Sequence, residues 1–75
     1  MKDIAISTET TPYIQLGQFL KLAGCASTGG HAKIMLAEEA VKVNGEVDTR
    51  RGRKLYPNDT VDVSGCGSFR IVQEA

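Results

Sequence analysis

The highest density of positive charge in this 75-residue sequence lies in residues 49–54, TRRGRK, which we call the basic loop. No acidic residue interrupts its cations, which are Arg50, Arg51, Arg53 and Lys54. The whole chain, by contrast, balances nine Lys and Arg against nine Asp and Glu. Clustered cations can contact the phosphates of a polyanion, and Gly52 lets the backbone bend toward it. The segment is therefore a candidate phosphate site, and the alternative is a solvated loop that only keeps the protein soluble.

A second candidate site is residues 27–33, STGGHAK, where two glycines fall at the predicted start of a helix. A glycine inside a helix costs roughly 1 kcal/mol relative to alanine, so Gly29 and Gly30 need a reason. Backbone N–H groups at a helix start attract anions, and glycines leave them uncovered. Lys33 on the same face, and His31, would then contact phosphate. The alternative is that the glycines let two helices pack closely at their turn.

The sequence contains no motif that predicts catalysis or a nucleotide triphosphate site. Both GxxxxGK[ST] and GxGxxG are absent. Cys25 and His31 could form a nucleophile and base, but no third group that would orient them is evident. The two cysteines make no metal-ligand set, and we expect Cys25 and Cys66 to be free thiols. We predict no catalytic residue, no metal and no cofactor.

Apolar spacing predicts two short helices that position the glycines. The stripe buried by the first helix is Leu16, Phe19, Leu20 and Ala23. Gly24 ends this helix. The second helix, capped by Ser27 or Thr28, buries the stripe Ala32, Met35 and Leu36.

After Ala40 the apolar period drops to two, which indicates strands. Asn44-Gly45 supplies the positive φ angles of a two-residue hairpin, and residues 48–54 form an exposed loop. Alternating valines at 61 and 63, then Phe69 and Ile71, continue the pattern. We predict an α+β fold, in which two short N-terminal helices in a helix-turn-helix-like pair precede a small antiparallel β-sheet.

The aromatic residues do not favour a platform for stacked bases. They are Tyr13, Phe19, Tyr56 and Phe69. The two phenylalanines lie on predicted core stripes, so at most the two tyrosines remain for stacking.

Composition predicts a domain at residues 14–75 that follows an N-terminal arm at residues 1–13, either loose or a short edge strand. The first residues lack the apolar core of a signal peptide, and no run of eighteen apolar residues occurs. We expect a cytoplasmic monomer that does not contact a membrane.

The run from Leu16 to Val63 resembles the S-four-type RNA-binding domain, named for a small-subunit ribosomal protein. The resemblance is carried by the order of elements: a helix containing FL, a capped helix with Ala32, Lys33 and Leu36, then VKVNG. It is strongest to small stand-alone bacterial members. It implies the alpha-L RNA-binding motif, which binds structured RNA along the two helices and the loop after the hairpin, here with Lys33, Lys42 and the cap Thr28.

Two positions depart from the pattern of that family. Its first helix often opens with Arg-Leu-Asp, whereas this chain has Gln15-Leu16-Gly17. Its second helix often has Ser-Arg, whereas this chain has Thr28-Gly29. Two arginines that the resemblance implies as RNA contacts are thus missing, and we expect the four cations of the basic loop to compensate for them. The glycines would clear an approach to phosphate.

We therefore predict a non-enzymatic RNA-binding protein whose partner is structured RNA, ribosomal RNA in particular, on the ribosome or an assembly intermediate. The predicted contacts are Thr28, Gly29, Gly30, His31, Lys33, Lys42, Arg50, Arg51, Arg53 and Lys54. The main alternative is a protein-interaction module, in which nearby acids neutralise the basic loop: Glu38, Glu39, Glu46 and Asp48. A small sulfur carrier is a weaker alternative, because such proteins end in Gly-Gly and this sequence ends in QEA. A DNA-binding helix-turn-helix is also weaker, because the second helix has only one Lys and one His with which to read bases.

Overall fold

The computed structural model describes residues 1–9 and 11–74. Thr10 of the predicted arm and Ala75 of the predicted domain lie outside them. The elements are β1 (Lys2–Ile6), β2 (Ile14–Gln15), α1 (Leu16–Leu22), α2 (Gly29–Ala37), β3 (Val41–Val43), β4 (Glu46–Val47), β5 (Lys54–Leu55), β6 (Thr60–Val63) and β7 (Gly67–Gln73). Neither helix in this part of the chain is long and apolar enough to cross a membrane.

Five strands form one sheet in the order β1-β7-β6-β3-β4. The pairs β3–β4, β3–β6 and β6–β7 are antiparallel, whereas β1 runs parallel to β7 with Lys2 opposite Phe69. The prediction that the helices come first and the sheet is purely antiparallel is wrong in these two respects. The physical reason is the burial of apolar side chains. Ile6 is buried and Ile4 packs against the core, and this burial stabilises the N-terminal segment as a strand of the sheet.

The hairpin between β3 and β4 is confirmed. Asn44 and Gly45 have φ angles of 52° and 86°, the left-handed pair that a type I′ turn requires. The Asn44 side chain also ties the turn to the next strand, because its Oδ1 accepts from the Thr60 N–H at 2.9 Å. The turn therefore sets the register of β3 against both neighbours.

Both predicted helices are present and pack against one face of the sheet. In α1 the residues Leu16, Phe19 and Leu20 are fully buried, and Phe19 meets Phe69 of β7 edge to face at 5.6 Å between ring centroids. The chain leaves this helix through Gly24, which has a φ of 80°. Of the stripe predicted for α2, Ala32 and Leu36 are buried and Met35 is half-buried.

The segment after β4 differs from the exposed loop that we predicted. Asp48 is buried, and Lys54 begins β5, which pairs with β2 in a separate two-stranded ribbon. The backbone also docks on α1: the Leu16 N–H donates to the Arg53 carbonyl at 2.8 Å and the Gly17 N–H to the Arg51 carbonyl at 2.9 Å. These bonds satisfy N–H groups that a helix start leaves without partners. The basic loop is thus held against the first turn of α1.

The prediction of two free thiols is wrong, because the structure joins Cys25 and Cys66 in a disulfide. Cys25 lies in the turn between the helices, and Cys66 lies in the turn between β6 and β7. Packing of the helices on the sheet brings the two turns together, with 5.8 Å between the Cα atoms. Their separation of 41 residues along the chain hides this proximity from the sequence.

Reduction of the disulfide is expected to lower the free energy of unfolding by about 2–4 kcal/mol, because the crosslink restricts the unfolded chain. Urea unfolding with and without a reductant measures the difference, and thiol titration verifies the redox state. The double variant Cys25→Ala/Cys66→Ala is the control and should not respond to reductant. Equal stability of the oxidised and reduced wild type would contradict the prediction.

Candidate nucleic-acid interface

Asp48 is a buried acid directly beside the basic loop, with a side chain that is 7% exposed. Its Oδ1 accepts from the backbone N–H of Arg50 at 2.9 Å and from Nε of Arg50 at 3.2 Å. Its Oδ2 accepts from the Arg50 guanidinium at 2.9 Å and from Nη1 of Arg53 at 2.8 Å. The hydrogen bonds from Arg50 hold the pKa of Asp48 far below its usual range, although burial acts to raise it.

This carboxylate gives the four cations of the basic loop unequal roles. Arg50 and Arg53 share Asp48, so part of their charge is neutralised within the fold. Four cations and one acid leave residues 48–54 with a net charge of +3. The side chain of Arg50 nevertheless stays 68% exposed. The loop is therefore ordered and still positive, unlike a freely solvated loop.

Arg51 lies against α1, where only a glycine leaves room for it. A Cβ added to Gly17 would lie 2.5 Å from Cγ of Arg51, closer than carbon atoms can approach. The stem of Arg51 thereby reaches a groove of about 190 Å³, which we call the helix groove. Its lining residues are Gln15, Gly17, Gln18, Lys21, Gly29 and Arg51. The two departures from the family pattern, at Gly17 and Gly29, thus line the same groove as Arg51.

The two glycines at the start of α2 do not serve helix packing. A Cβ added to Gly29 would meet no atom within 4 Å, and one added to Gly30 would meet only Oγ1 of Thr28 at 3.8 Å. The alternative that they permit close contact between the helices is therefore wrong. Lys33, one turn after Gly29, is exposed on the same face. The first turn of α2 presents open backbone beside a cation.

Thr28 and His31 secure the start of α2. Oγ1 of Thr28 accepts from the His31 N–H at 3.0 Å, the helix cap that we predicted for Ser27 or Thr28. Nδ1 of His31 accepts from the Ser27 N–H at 3.2 Å. Both side chains thus fix the backbone that leads to the glycines, and their contact with phosphate stays a prediction.

The remaining cations lie elsewhere. A second groove, of about 700 Å³, is lined by Arg50, Gly52, Arg53, Lys54 and Tyr56, and we call it the loop groove. Lys42 belongs to neither groove: it lies between the buried Val41 and Val43 and so points to the sheet face away from the helices, opposite Asp62. Of the predicted contacts, Gly29 and Arg51 line the helix groove, and Arg50, Arg53 and Lys54 line the loop groove.

Sequence reasoning missed Lys21 and Gln18, and it named Asp48 only as one of four acids that could neutralise the basic loop. Lys21 follows Gly17 by four residues, so a helical wheel of α1 places it on the groove face, and this signal was present in the sequence. The pairing of Asp48 with Arg53 has no such signal, because it depends on how the loop folds back.

Neither a metal centre nor a thiol nucleophile is evident in residues 1–9 and 11–74. No three His, Cys, Asp or Glu side chains in these ranges come together to hold a metal ion. Cys25 is bonded to Cys66, so the candidate pair with His31 has no thiol. The chemistry that this surface offers is charge and hydrogen bonding.

We expect the stability of the protein to fall as the pH is lowered from 5 to 3. The pKa of Asp48 is lower in the folded state than its ordinary value of 3.8. Its contribution is therefore complete above that value and is lost as the pH falls toward the folded pKa. Urea unfolding over this pH range measures the loss. Asp48→Asn should cost about 1–3 kcal/mol at pH 7 and flatten the pH profile, and an unchanged profile would contradict the assignment.

The chain is similar to known proteins along most of its length. The sequence model of the S4 domain matches residues 6–72. The chain is 55% identical over 69 residues to the probable ribosome maturation protein RlbA of Bacillus subtilis, covering 92% of this chain and 93% of that protein. It is 43% identical over 54 residues to the putative RNA-binding protein YbcJ of Escherichia coli, covering 72% of this chain and 77% of YbcJ.

The solved structures include a similar fold. The solution structure of Escherichia coli YbcJ, described as revealing an alpha-L motif involved in RNA binding, superposes with a TM-score of 0.64 at 37% identity. It covers 91% of this chain and 85% of YbcJ. The match to the domain model spans both helices, the β3–β4 hairpin and the basic loop. The resemblance drawn from the sequence is confirmed, and this chain belongs to the S4 domain family.

Proposed function

We propose that this protein binds structured ribosomal RNA during ribosome maturation, through the helix groove and the basic loop. The observation that carries the proposal is that the cation of Arg51 and the uncovered backbone at Gly29, the start of α2, line one groove. The names of two relatives, a ribosome maturation protein and an RNA-binding protein, support it. A ribosomal target implies action in the cytoplasm, and we propose that the protein acts there as a monomer without catalysis.

The distribution of charge suits a phosphate backbone. The chain as a whole has no net charge, so attraction to RNA must come from one side of the molecule. Lys21 and Arg51 line the helix groove, and Lys33 lies one turn along α2 from Gly29. Phosphate contacts of this kind position the protein and do not read sequence. Because an RNA duplex hides most base edges, its shape supplies most of the selectivity.

The backbone of α2 adds neutral donors to these cations. Among the first N–H groups of the helix, that of His31 is taken by the Thr28 hydroxyl. The N–H groups of Gly29 and Gly30 precede it, at the positions where an N–H group has no acceptor carbonyl within its own helix. A phosphate at the helix groove can accept from them, with the helix dipole in its favour.

The protein-interaction alternative loses its main support. It requires the neighbouring acids to neutralise the basic loop. Within residues 1–9 and 11–74, ion pairs join the loop to Asp48 and to none of the other three acids proposed for that role. Positive charge therefore remains available at Arg51 and Lys54.

The triple variant Lys21→Ala/Lys33→Ala/Arg51→Ala should bind a structured ribosomal RNA fragment at least about tenfold more weakly than wild type. Loss of three phosphate contacts should also reduce the log–log salt slope by about 2 to 3. Fluorescence anisotropy across a salt series measures both quantities.

Lys42→Ala is the control for charge alone, because Lys42 lies on the opposite face of the sheet. Its affinity should stay within about twofold of wild type. Unchanged binding by the triple variant would remove the helix groove from the interface, and a comparable loss from Lys42→Ala would show that the face is wrongly assigned.

Gly29→Ala and Gly30→Ala should each stabilise α2, by up to about 1 kcal/mol, because alanine is the better helix former and the structure leaves space for its methyl group. The same substitutions should weaken RNA binding, since the added methyl groups keep phosphate away from the backbone. Thermal unfolding and anisotropy on the same samples check the two effects. Variants that are more stable and bind RNA as tightly as wild type would refute the backbone approach.

A further inference from the structure

The β2–β5 ribbon holds two tyrosines side by side at the surface. Ile14 pairs with Leu55, and continuing this antiparallel register by one residue sets Tyr13 opposite Tyr56. Their ring centroids are 5.9 Å apart, with the planes inclined by 54°. Because side chains alternate along a strand, the buried Leu55 turns inward while the tyrosines turn outward. The ribbon therefore has an apolar inner face and an aromatic outer face.

Lys54 shares the outer face with this pair. It lies in β5, two residues before Tyr56, and its Nζ lies 5.1 Å from the centroid of the Tyr13 ring. At that distance the cation is attracted to the face of the ring. Tyr13 thus places a positive charge next to Tyr56, within the loop groove.

Tyr56 is exposed and held in position. The residue is 45% exposed despite its large aromatic ring. Its backbone N–H donates to Oδ2 of Asp59 at 2.8 Å, and the Asp59 N–H donates to the Tyr56 carbonyl at 3.0 Å. The ring borders the loop groove, which is open to solvent. An ordered aromatic ring therefore faces open space with cations around it.

We propose that the loop groove takes one unpaired base of the bound RNA, a bulged or loop nucleotide, which stacks on Tyr56. Lys54 and the exposed Arg50 contact the phosphates on either side of that nucleotide. Unpaired bases splayed from an RNA helix stack on aromatic rings, whereas bases within a duplex cannot reach one. This inference rests on the proposed function and adds to it the class of RNA feature that is recognised.

The two grooves are close enough to serve one RNA. Arg50 borders the loop groove and its neighbour in sequence, Arg51, borders the helix groove. A duplex held by the helix groove would thus present a bulge at its end or along its side to Tyr56. The pairing of Arg50 and Arg53 with Asp48 holds in place the segment of the basic loop that borders both grooves.

The test compares two RNA hairpins of equal length, one fully paired and one with a single bulged 2-aminopurine nucleotide. The intact wild-type protein should bind the bulged hairpin about tenfold more tightly, since a stacked base contributes that order of affinity. Stacking on Tyr56 should also quench the 2-aminopurine fluorescence. Anisotropy and fluorescence titrations give both readouts.

Tyr56→Leu should lose the preference and the quenching while still binding the paired hairpin, and Tyr56→Phe should keep both. Thermal unfolding confirms that each variant folds. Equal wild-type affinity for the two hairpins, or a preference that survives Tyr56→Leu, would overturn the stacking inference alone. Failure of the wild type to bind either hairpin or ribosomal RNA fragments would instead overturn the proposed function.

Discussion

The positive surface of this protein depends on the buried carboxylate of Asp48. An ionised acid in that position is unfavourable unless it is fully paired, and it is paired here with the guanidinium groups of Arg50 and Arg53. The same residues give the basic loop its shape, because the backbone of Arg51 and Arg53 also receives hydrogen bonds from the start of α1. The buried carboxylate and these backbone hydrogen bonds therefore hold the basic loop in one conformation against α1.

The cations of the basic loop have different contacts and therefore different roles. Arg53 is mainly structural, Arg51 extends over Gly17 into the helix groove, and Lys54 lies against Tyr13 on the ribbon. The arrangement explains how a chain with no net charge can attract RNA, since its cations are gathered where small residues leave the backbone open. Arg51 of the basic loop lines one groove with Gly17 and Gly29, which lie in the first turns of the two helices.

Local sequence patterns predicted much of the secondary structure correctly. The two helices, the Thr28 cap and the Asn44-Gly45 hairpin each depend on a few neighbouring residues, and all three are present. The parallel pairing of β1 with β7 and the Cys25–Cys66 bridge join segments far apart in the chain. No periodicity or spacing encodes such contacts, because they form only when separate elements bury their apolar faces in one core.

The sequence by itself determined the family, the candidate cations and the puzzle of two glycines at a helix start. Only the tertiary structure decided which cations act together: Lys42 and Lys33 look alike in the sequence, yet β3 turns Lys42 to the far side of the sheet. It also decided that Tyr13 and Tyr56 are neighbours, through the pairing of β2 with β5. The physical reason is that burial of apolar side chains sets the direction of each strand and helix, and polar side chains must take the positions that remain.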